Sequence, residues 1–216
     1  MIGKIFYIFL KAIRSSKIIT SIVWGIKIKE YCHETFWDLT TLVIKKEMSN
    51  RNDKIRYLDM GCGQFAILGQ FFKRRNIKSE VISVDIYDEF IENSKMNSKL
   101  NNNQILIIKS NLFSNLNEKF DLITFNPPYV PTTNNLGNNN YPNIRFSGSD
   151  GLKTTKEFLI DAKNYLSTTG EILLGINTFY VPQRSCLDII YNTGYKLKKI
   201  TYMKFNTSVV FRLSIV

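Results

Sequence analysis

From Lys54 to the end of the chain, short apolar runs alternate with stretches of helical periodicity, and this alternation restricts the fold more than any other feature. Residues 54–60 (KIRYLDM) read as a buried strand running into Gly61-Cys62-Gly63. Residues 65–75 place Phe65, Leu68, Phe71 and Phe72 on one helical face. A second strand is expected at 81–85 (VISVD), then a helix from about 87 to 100. Asn101-Asn102-Asn103 turns the chain into a third strand at 105–109, and a fourth at 120–125 (FDLITF) ends at Asn126-Pro127-Pro128-Tyr129. The pattern continues with a helix at 152–166, a strand at 171–176, a helix at 182–193, and adjacent strands at 195–203 and 207–215 joined as a hairpin. The fold class is therefore α/β, a mostly parallel sheet with helices on both faces and one antiparallel strand from the terminal pair.

The first 30 residues follow a different rule. Ile2, Ile5, Phe6, Phe9, Leu10 and Ile13, then Ile18, Ile19, Ile22, Val23 and Ile26, recur at helical spacing, interleaved with Lys4, Lys11, Arg14, Lys17, Lys27 and Lys29. No apolar run approaches the ~20 residues that span a bilayer, and no signal-peptide cleavage pattern follows the first stretch. This basic amphipathic segment, 1–30, is either a surface for RNA or an anionic membrane, or a helical cap packed on the domain at 31–216. The chain carries 29 Lys+Arg against 18 Asp+Glu, a formal charge of +11, which suits an acidic partner such as nucleic acid. The excess is mainly Lys and accompanies abundant Asn, Ile, Phe and Tyr, which AT-rich coding also produces.

Cys32, Cys62 and Cys186 are too few and too scattered for a disulfide framework or a metal cluster, and they point to a reducing cytoplasm. His33 is the only histidine, so zinc chemistry and a histidine-based triad are excluded, and no metal is expected.

Two strand ends carry the chemistry. At the first, Asp59-Met60-Gly61-Cys62-Gly63 lets the backbone turn sharply and approach a ligand, although positions 61, 63 and 66 read Gly, Gly, Ala rather than a full dinucleotide fingerprint. Asp85 ends the next strand, where a carboxylate binds ribose hydroxyls. At the second, Pro127 and Pro128 end pairing and hold an extended turn. That turn aims the Asn126 carboxamide oxygen and the Pro127 carbonyl at one point, where they hold both hydrogens of an –NH2 group while Tyr129 stacks on its planar carrier. Such acceptors favour pyramidal nitrogen and attack on an electrophile such as a sulfonium methyl, with alignment rather than a proton shuttle supplying the catalysis. The Asn-rich stretch at 132–143 is either a substrate-gating loop or an unconstrained connection.

These residues resemble class I S-adenosylmethionine-dependent methyltransferases of the NPPY type, in the small-domain group that includes the release-factor glutamine N5-methyltransferases. The resemblance covers about 31–216. YLDMGCGQFAI (57–67) is similar to the family's first cofactor motif, VISVDI (81–86) to its ribose-binding strand end, and KSNLF (109–113) to its adenine-contacting segment. FDLITFNPPYVP (120–131) resembles the catalytic motif, FSGSDGL (146–152) a stretch typical of glutamine methyltransferases, and HETFWDL (33–39) the segment preceding their fold, with Thr35 upstream of Asp59. The resemblance implies a Rossmann-like seven-stranded sheet with S-adenosyl-L-methionine as cofactor. Asp59, Gly61, Cys62, Gly63, Asp85, Ile86, Asn111, Leu112 and Asn126 would meet the cofactor, and Asn126, Pro127, Pro128 and Tyr129 would hold the acceptor. The chain departs from the pattern at Phe65, which replaces a third glycine, and at Asn111, which replaces an acid whose acceptor role an amide oxygen retains. No separate substrate-recognition domain is evident before Tyr31. The acceptor implied first is a protein glutamine side chain. The alternatives are adenine N6 in RNA or DNA, a small-molecule amine, and a non-catalytic partner that keeps the fold.

Overall fold

Strands β1 (Arg56–Met60), β2 (Glu80–Asp85), β3 (Leu106–Lys109), β4 (Phe120–Phe125), β5 (Leu166–Asn177), β6 (Tyr195–Tyr202) and β7 (Ser208–Ile215) form one seven-stranded sheet, in the order β3-β2-β1-β4-β5-β7-β6. The computed structural model describes residues 11–29, 31, 36–50, 54–132, 144–204 and 206–216. Among the described residues, the helices with both ends defined are α1 (Lys17–Trp24), α2 (Leu39–Met48), α3 (Ile67–Arg75), α4 (Asp88–Leu100), α5 (Lys153–Ala162) and α6 (Gln183–Asn192). The chain divides into two compact units, Met1–Asp38 with Arg51–Asn115, and Leu39–Asn50 with Leu116–Val216. None of the described helices is long and apolar enough to cross a membrane.

In the first unit, β1 pairs parallel with β2 from Arg56↔Glu80 to Met60↔Val84, and β2 pairs parallel with β3 from Ile82↔Leu106 to Asp85↔Lys109. Apart from Glu80, β2 is buried throughout, as a strand covered on both faces must be. Helix α3 turns Leu68, Phe71 and Phe72 inward, and Phe72 meets Tyr57 of β1 at 4.7 Å between ring centroids. The expected helix from residue 65 starts later. A 3-10 turn spans Gly63–Phe65, Ala66 is left-handed at φ 44°, and α3 begins at Ile67. Phe65 is nonetheless buried, edge-on to Phe36 at 5.0 Å.

Helix α1 shifts the face expected for the N-terminal segment: Ile26 is buried and Ile19 and Val23 are half-buried, as the spacing implies, but two positions differ. Ile18 and Ile22 point outward, whereas Thr20 and Trp24 are buried. Trp24 decides this because its indole has more surface to bury than an isoleucine. It packs edge-on against Trp37 at 6.0 Å and Phe71 at 6.1 Å, and Trp37 Nε1 donates to Thr20 Oγ1. The chain beyond α1 is tied to α4, since Lys27 N donates to Asn101 Oδ1 and Lys29 N to Asn97 Oδ1. The apolar repeat at residues 2–10, Cys32, His33 and Thr35 lie outside the described residues, as do positions 133–143 of the Asn-rich stretch.

In the second unit, β4 and β5 are parallel, and β7 runs antiparallel to both β5 and β6. Two features differ from the sequence pattern. Helix α5 ends at Ala162, and β5 starts at Leu166 rather than 171, because Ser167–Gly170 bulges out between the pairs Phe120↔Leu166 and Leu122↔Glu171. Helix α2 has no clear apolar stripe, and Thr40, Thr41 and Glu47 are among its buried residues. Glu47 compensates its burial through bonds from Lys199 Nζ (2.9 Å), Thr201 Oγ1 (2.7 Å) and Arg212 Nη2 (2.8 Å). Burial pushes its carboxyl up, but the bonds from Lys199 and Thr201 and the charges of Arg212 and Lys199 outweigh it and hold the group below 4.5. The sign follows: this stabilisation is complete above the ordinary glutamate value and is lost as pH falls through the lower folded value. Glu47→Gln is expected to cost about 2 kcal/mol at neutral pH, less than a fully buried pair because Lys199 is half exposed. Urea titrations of both proteins test this, and their difference should shrink in acid.

Candidate functional site

The first cluster is built by the glycine turn after β1. Gly61 and Gly63 are both left-handed, at φ 62° and 64°, which no residue with a Cβ adopts without strain. The turn is locked from several sides. Cys62 N donates to Val84 O, Gly63 N donates to Asp85 Oδ2 at 2.9 Å, and Ser94 Oγ donates to Gly63 O at 2.7 Å. Asp59 is buried, and its Oδ2 accepts from Gly69 N at 2.9 Å. Ala66 leads into α3 with no side-chain cap, so the Asp59 carboxylate satisfies an N–H in the first turn of the helix. Its position is thus explained by helix capping as well as by the turn.

Asp85 is buried at the end of β2, its Oδ1 accepting from Tyr87 N at 3.2 Å. Burial pushes its carboxyl above 3.8, against the lowering effect of the N–H groups of Gly63, Tyr87 and Ile86. The two carboxylate oxygens together can accept about four hydrogen bonds, so acceptor capacity remains beyond these three backbone N–H groups. Cys62 is a buried neutral thiol. Desolvation, and then the charges of Asp85 and Asp59, raise its pKa well above 9.0, which leaves it no nucleophilic role. Ile86 is partly exposed. After β3, Ser110 Oγ donates to Leu112 O at 2.7 Å and Leu112 is left-handed at φ 48°, a turn that leaves Asn111 exposed. The turn fits a nucleoside sulfonium cofactor on one direct observation: a Cβ built on Gly63 meets no heavy atom within 4 Å, so the backbone faces open space beside the Asp85 carboxylate.

The second cluster follows β4. Pro127 is buried, while Asn126, Pro128 and Tyr129 are half-buried. Asn126 Nδ2 donates to Thr41 Oγ1 of α2 at 3.3 Å, which fixes the orientation of the carboxamide. Thr41 was not visible as a site residue from sequence, because only packing brings α2 to the end of β4. Gly175 of β5 permits the approach: a Cβ there would lie 2.6 Å from Thr40 Cγ2, 3.0 Å from Ile44 Cδ1 and 3.5 Å from Asn126 Oδ1.

The FSGSDGL stretch braces this motif. Val130 N donates to Arg145 O, Ser147 N donates to Val130 O, and Thr132 N donates to Gly148 O, with Val130 bridged to Phe146. Asp150 Oδ1 accepts from Leu152 N, and Ser147 Oγ accepts from Thr154 N, fixing the entry to α5. Gly151, at φ 76°, lies so close to the motif that a Cβ would stand 2.4 Å from the Tyr129 carbonyl oxygen. Gly151→Ala is therefore expected to displace Tyr129 and lower kcat about tenfold. Gly148→Ala, equally left-handed but facing Lys153, is expected to lose stability without that loss of kcat. Steady-state kinetics of the pair separates the two effects.

Residues 30–202 match the family profile described as the methyltransferase small domain. A Methanocaldococcus jannaschii protein named "Putative protein N5-glutamine methyltransferase" is 29% identical over 81% of this chain and 87% of its own length. The release factor glutamine methyltransferase of Streptococcus pneumoniae is 30% identical over 72% of this chain, which spans 56% of that protein. Among solved structures, a methyltransferase from Pyrococcus furiosus has the same fold, with a TM-score of 0.65, 19% identity and coverage of 91% and 92% of the two chains. A family match running through the glycine turn, Asp85 and the Asn-Pro-Pro-Tyr strand end leaves one assignment: the chain belongs to the small-domain methyltransferases and is an S-adenosylmethionine-dependent enzyme.

Proposed function

We propose that this enzyme methylates the side-chain amide nitrogen of glutamine in a polypeptide. The orientation of Asn126 carries the reading. With Nδ2 directed to Thr41, the carboxamide presents Oδ1, an acceptor suited to the hydrogens of an –NH2 group and unsuited to a carboxylate, which has no hydrogen to donate. Bound S-adenosylmethionine supplies an electrophilic methyl. Asn126 Oδ1 and the Pro127 carbonyl hold the two amide hydrogens, Tyr129 covers the planar face of the amide, and the glycine turn with Asp85 holds the cofactor. Asn111 and Leu112 are assigned to the adenine side, and Cys62 and Ile86 to the walls of the cofactor site. The M. jannaschii and S. pneumoniae relatives are both named for glutamine, which supports the same acceptor. Residues 31–216 act as the catalytic domain, and residues 1–30 as its cap, a role supported by the burial of Trp24 and Ile26.

The acceptor class is tested by incubating the protein and labelled S-adenosylmethionine with a methylation-deficient cell extract, then treating separately with protease and nuclease. Label released from the macromolecular fraction by protease alone is the expected result. Release by nuclease alone would move the acceptor to adenine in RNA or DNA.

A further inference from the structure

Two rings beside the acceptor motif have no role in the function above. Tyr180, in the segment between β5 and α6, stacks with Tyr129 at 6.0 Å between centroids and 26° between planes, and Phe179 meets Tyr180 edge-on at 5.0 Å and 85°. Phe179 is 75% exposed. Its backbone is held at both ends of the segment. Phe179 N donates to Asn177 Oδ1 at 3.0 Å, Tyr180 N to Asn177 O, and Thr178 N to Thr207 O, while Thr207 Oγ1 donates to Asn177 Oδ1 at 2.6 Å. Beyond the rings, Val181 is fully buried, with its Cγ2 3.0 Å from the Cβ position of Gly151. A large apolar ring held outward on fixed backbone forgoes burial in the fold, and it can offer that area to a ligand with little ordering cost.

We propose that the corner between Phe179 and Tyr180 is a docking subsite for an apolar side chain flanking the glutamine that is methylated; this rests on the glutamine reading above. Continuity of the three rings places such a side chain next to whatever Tyr129 covers. The geometry favours a polypeptide over a nucleobase. Tyr180 shares its stack with Tyr129, and Phe179 turns perpendicular to it, so the rings form a corner that suits a compact side chain rather than a ladder for successive bases. The subsite sets which glutamines are chosen, and acts through binding rather than through the chemical step.

Peptides with one central glutamine, carrying leucine, phenylalanine or glycine at the first and second positions on either side, test this on the full chain. The wild type should favour an apolar neighbour over glycine in at least one position by about tenfold in kcat/KM, carried by KM. Phe179→Ala should bring that ratio close to one, and Phe179→Leu should retain most of it. Exposure of the ring means that Tm should stay at the wild-type value in both variants. A wild-type ratio near one, or a ratio that survives Phe179→Ala, overturns the subsite and leaves glutamine methylation standing. Absence of transfer to every glutamine peptide, with transfer to RNA, overturns the glutamine reading and the subsite with it.

Discussion

Asn126→Ala is expected to lower kcat by about 10²–10³-fold, the usual loss when a preorganised hydrogen-bonding group leaves a transition state. The amide nitrogen of glutamine is a poor nucleophile because its lone pair is shared with the carbonyl. In the proposed function, holding its hydrogens on Asn126 Oδ1 and the Pro127 carbonyl would concentrate that pair on nitrogen, an effect that would grow as the nitrogen pyramidalises. Removing Oδ1 therefore weakens the transition state more than the ground state, and the loss falls on kcat rather than KM. Asp85 and the glycine turn are untouched, so S-adenosylmethionine affinity should stay within about threefold, as calorimetry would show. Thr41→Val should produce a smaller fall in kcat by freeing the Asn126 amide to rotate. An Asn126→Ala enzyme that turns over like the wild type would remove the motif from catalysis.

The second large effect is on the cofactor. Asp85→Ala is expected to weaken S-adenosylmethionine binding about a hundredfold, since it deletes the carboxylate proposed to accept from the ribose and the anchor of the Gly63 N–H together. Asp85→Asn keeps an oxygen for Gly63 and relieves a buried charge. It should bind about tenfold more weakly and melt no lower than the wild type. Because burial raises the Asp85 carboxyl above 3.8 and the ribose requires its ionised form, affinity should be complete above that raised value and decline below it. The decline therefore begins at a higher pH than an ordinary aspartate would give. Titrations across the acid range check this, and an affinity that holds down to the ordinary aspartate range contradicts the assignment.

The geometry of the glycine turn and of Asp85 was legible because it depends on local chemistry. A strand followed by glycines forces a left-handed turn at Gly61 and Gly63, and a carboxylate ending the next parallel strand falls beside it. The end of β4 at Asn126-Pro127-Pro128-Tyr129 was legible for the same reason, since two prolines after an apolar strand fix their own backbone. What escaped depends on packing at a distance in the chain. Helix α2 buries Thr40, Thr41 and Glu47, which interrupt its apolar face, and the partners that compensate the burial of Glu47, Lys199, Thr201 and Arg212, lie about 150 residues away. In the N-terminal segment Ile26 is buried and Ile19 and Val23 half-buried, but Trp24 turns inward where Ile18 and Ile22 turn out. FSGSDGL was visible as a family resemblance. Its action on Tyr129 through Gly151 became apparent only in three dimensions.

The central claim is tested most directly by locating the transferred methyl group. Wild-type enzyme, S-adenosylmethionine and a glutamine-containing polypeptide substrate should give a product whose fragment spectra carry one added methyl on the glutamine side-chain amide, with Asn126→Ala giving none. A methyl found instead on an adenine, on another side chain, or at equal yield with Asn126→Ala would contradict the account.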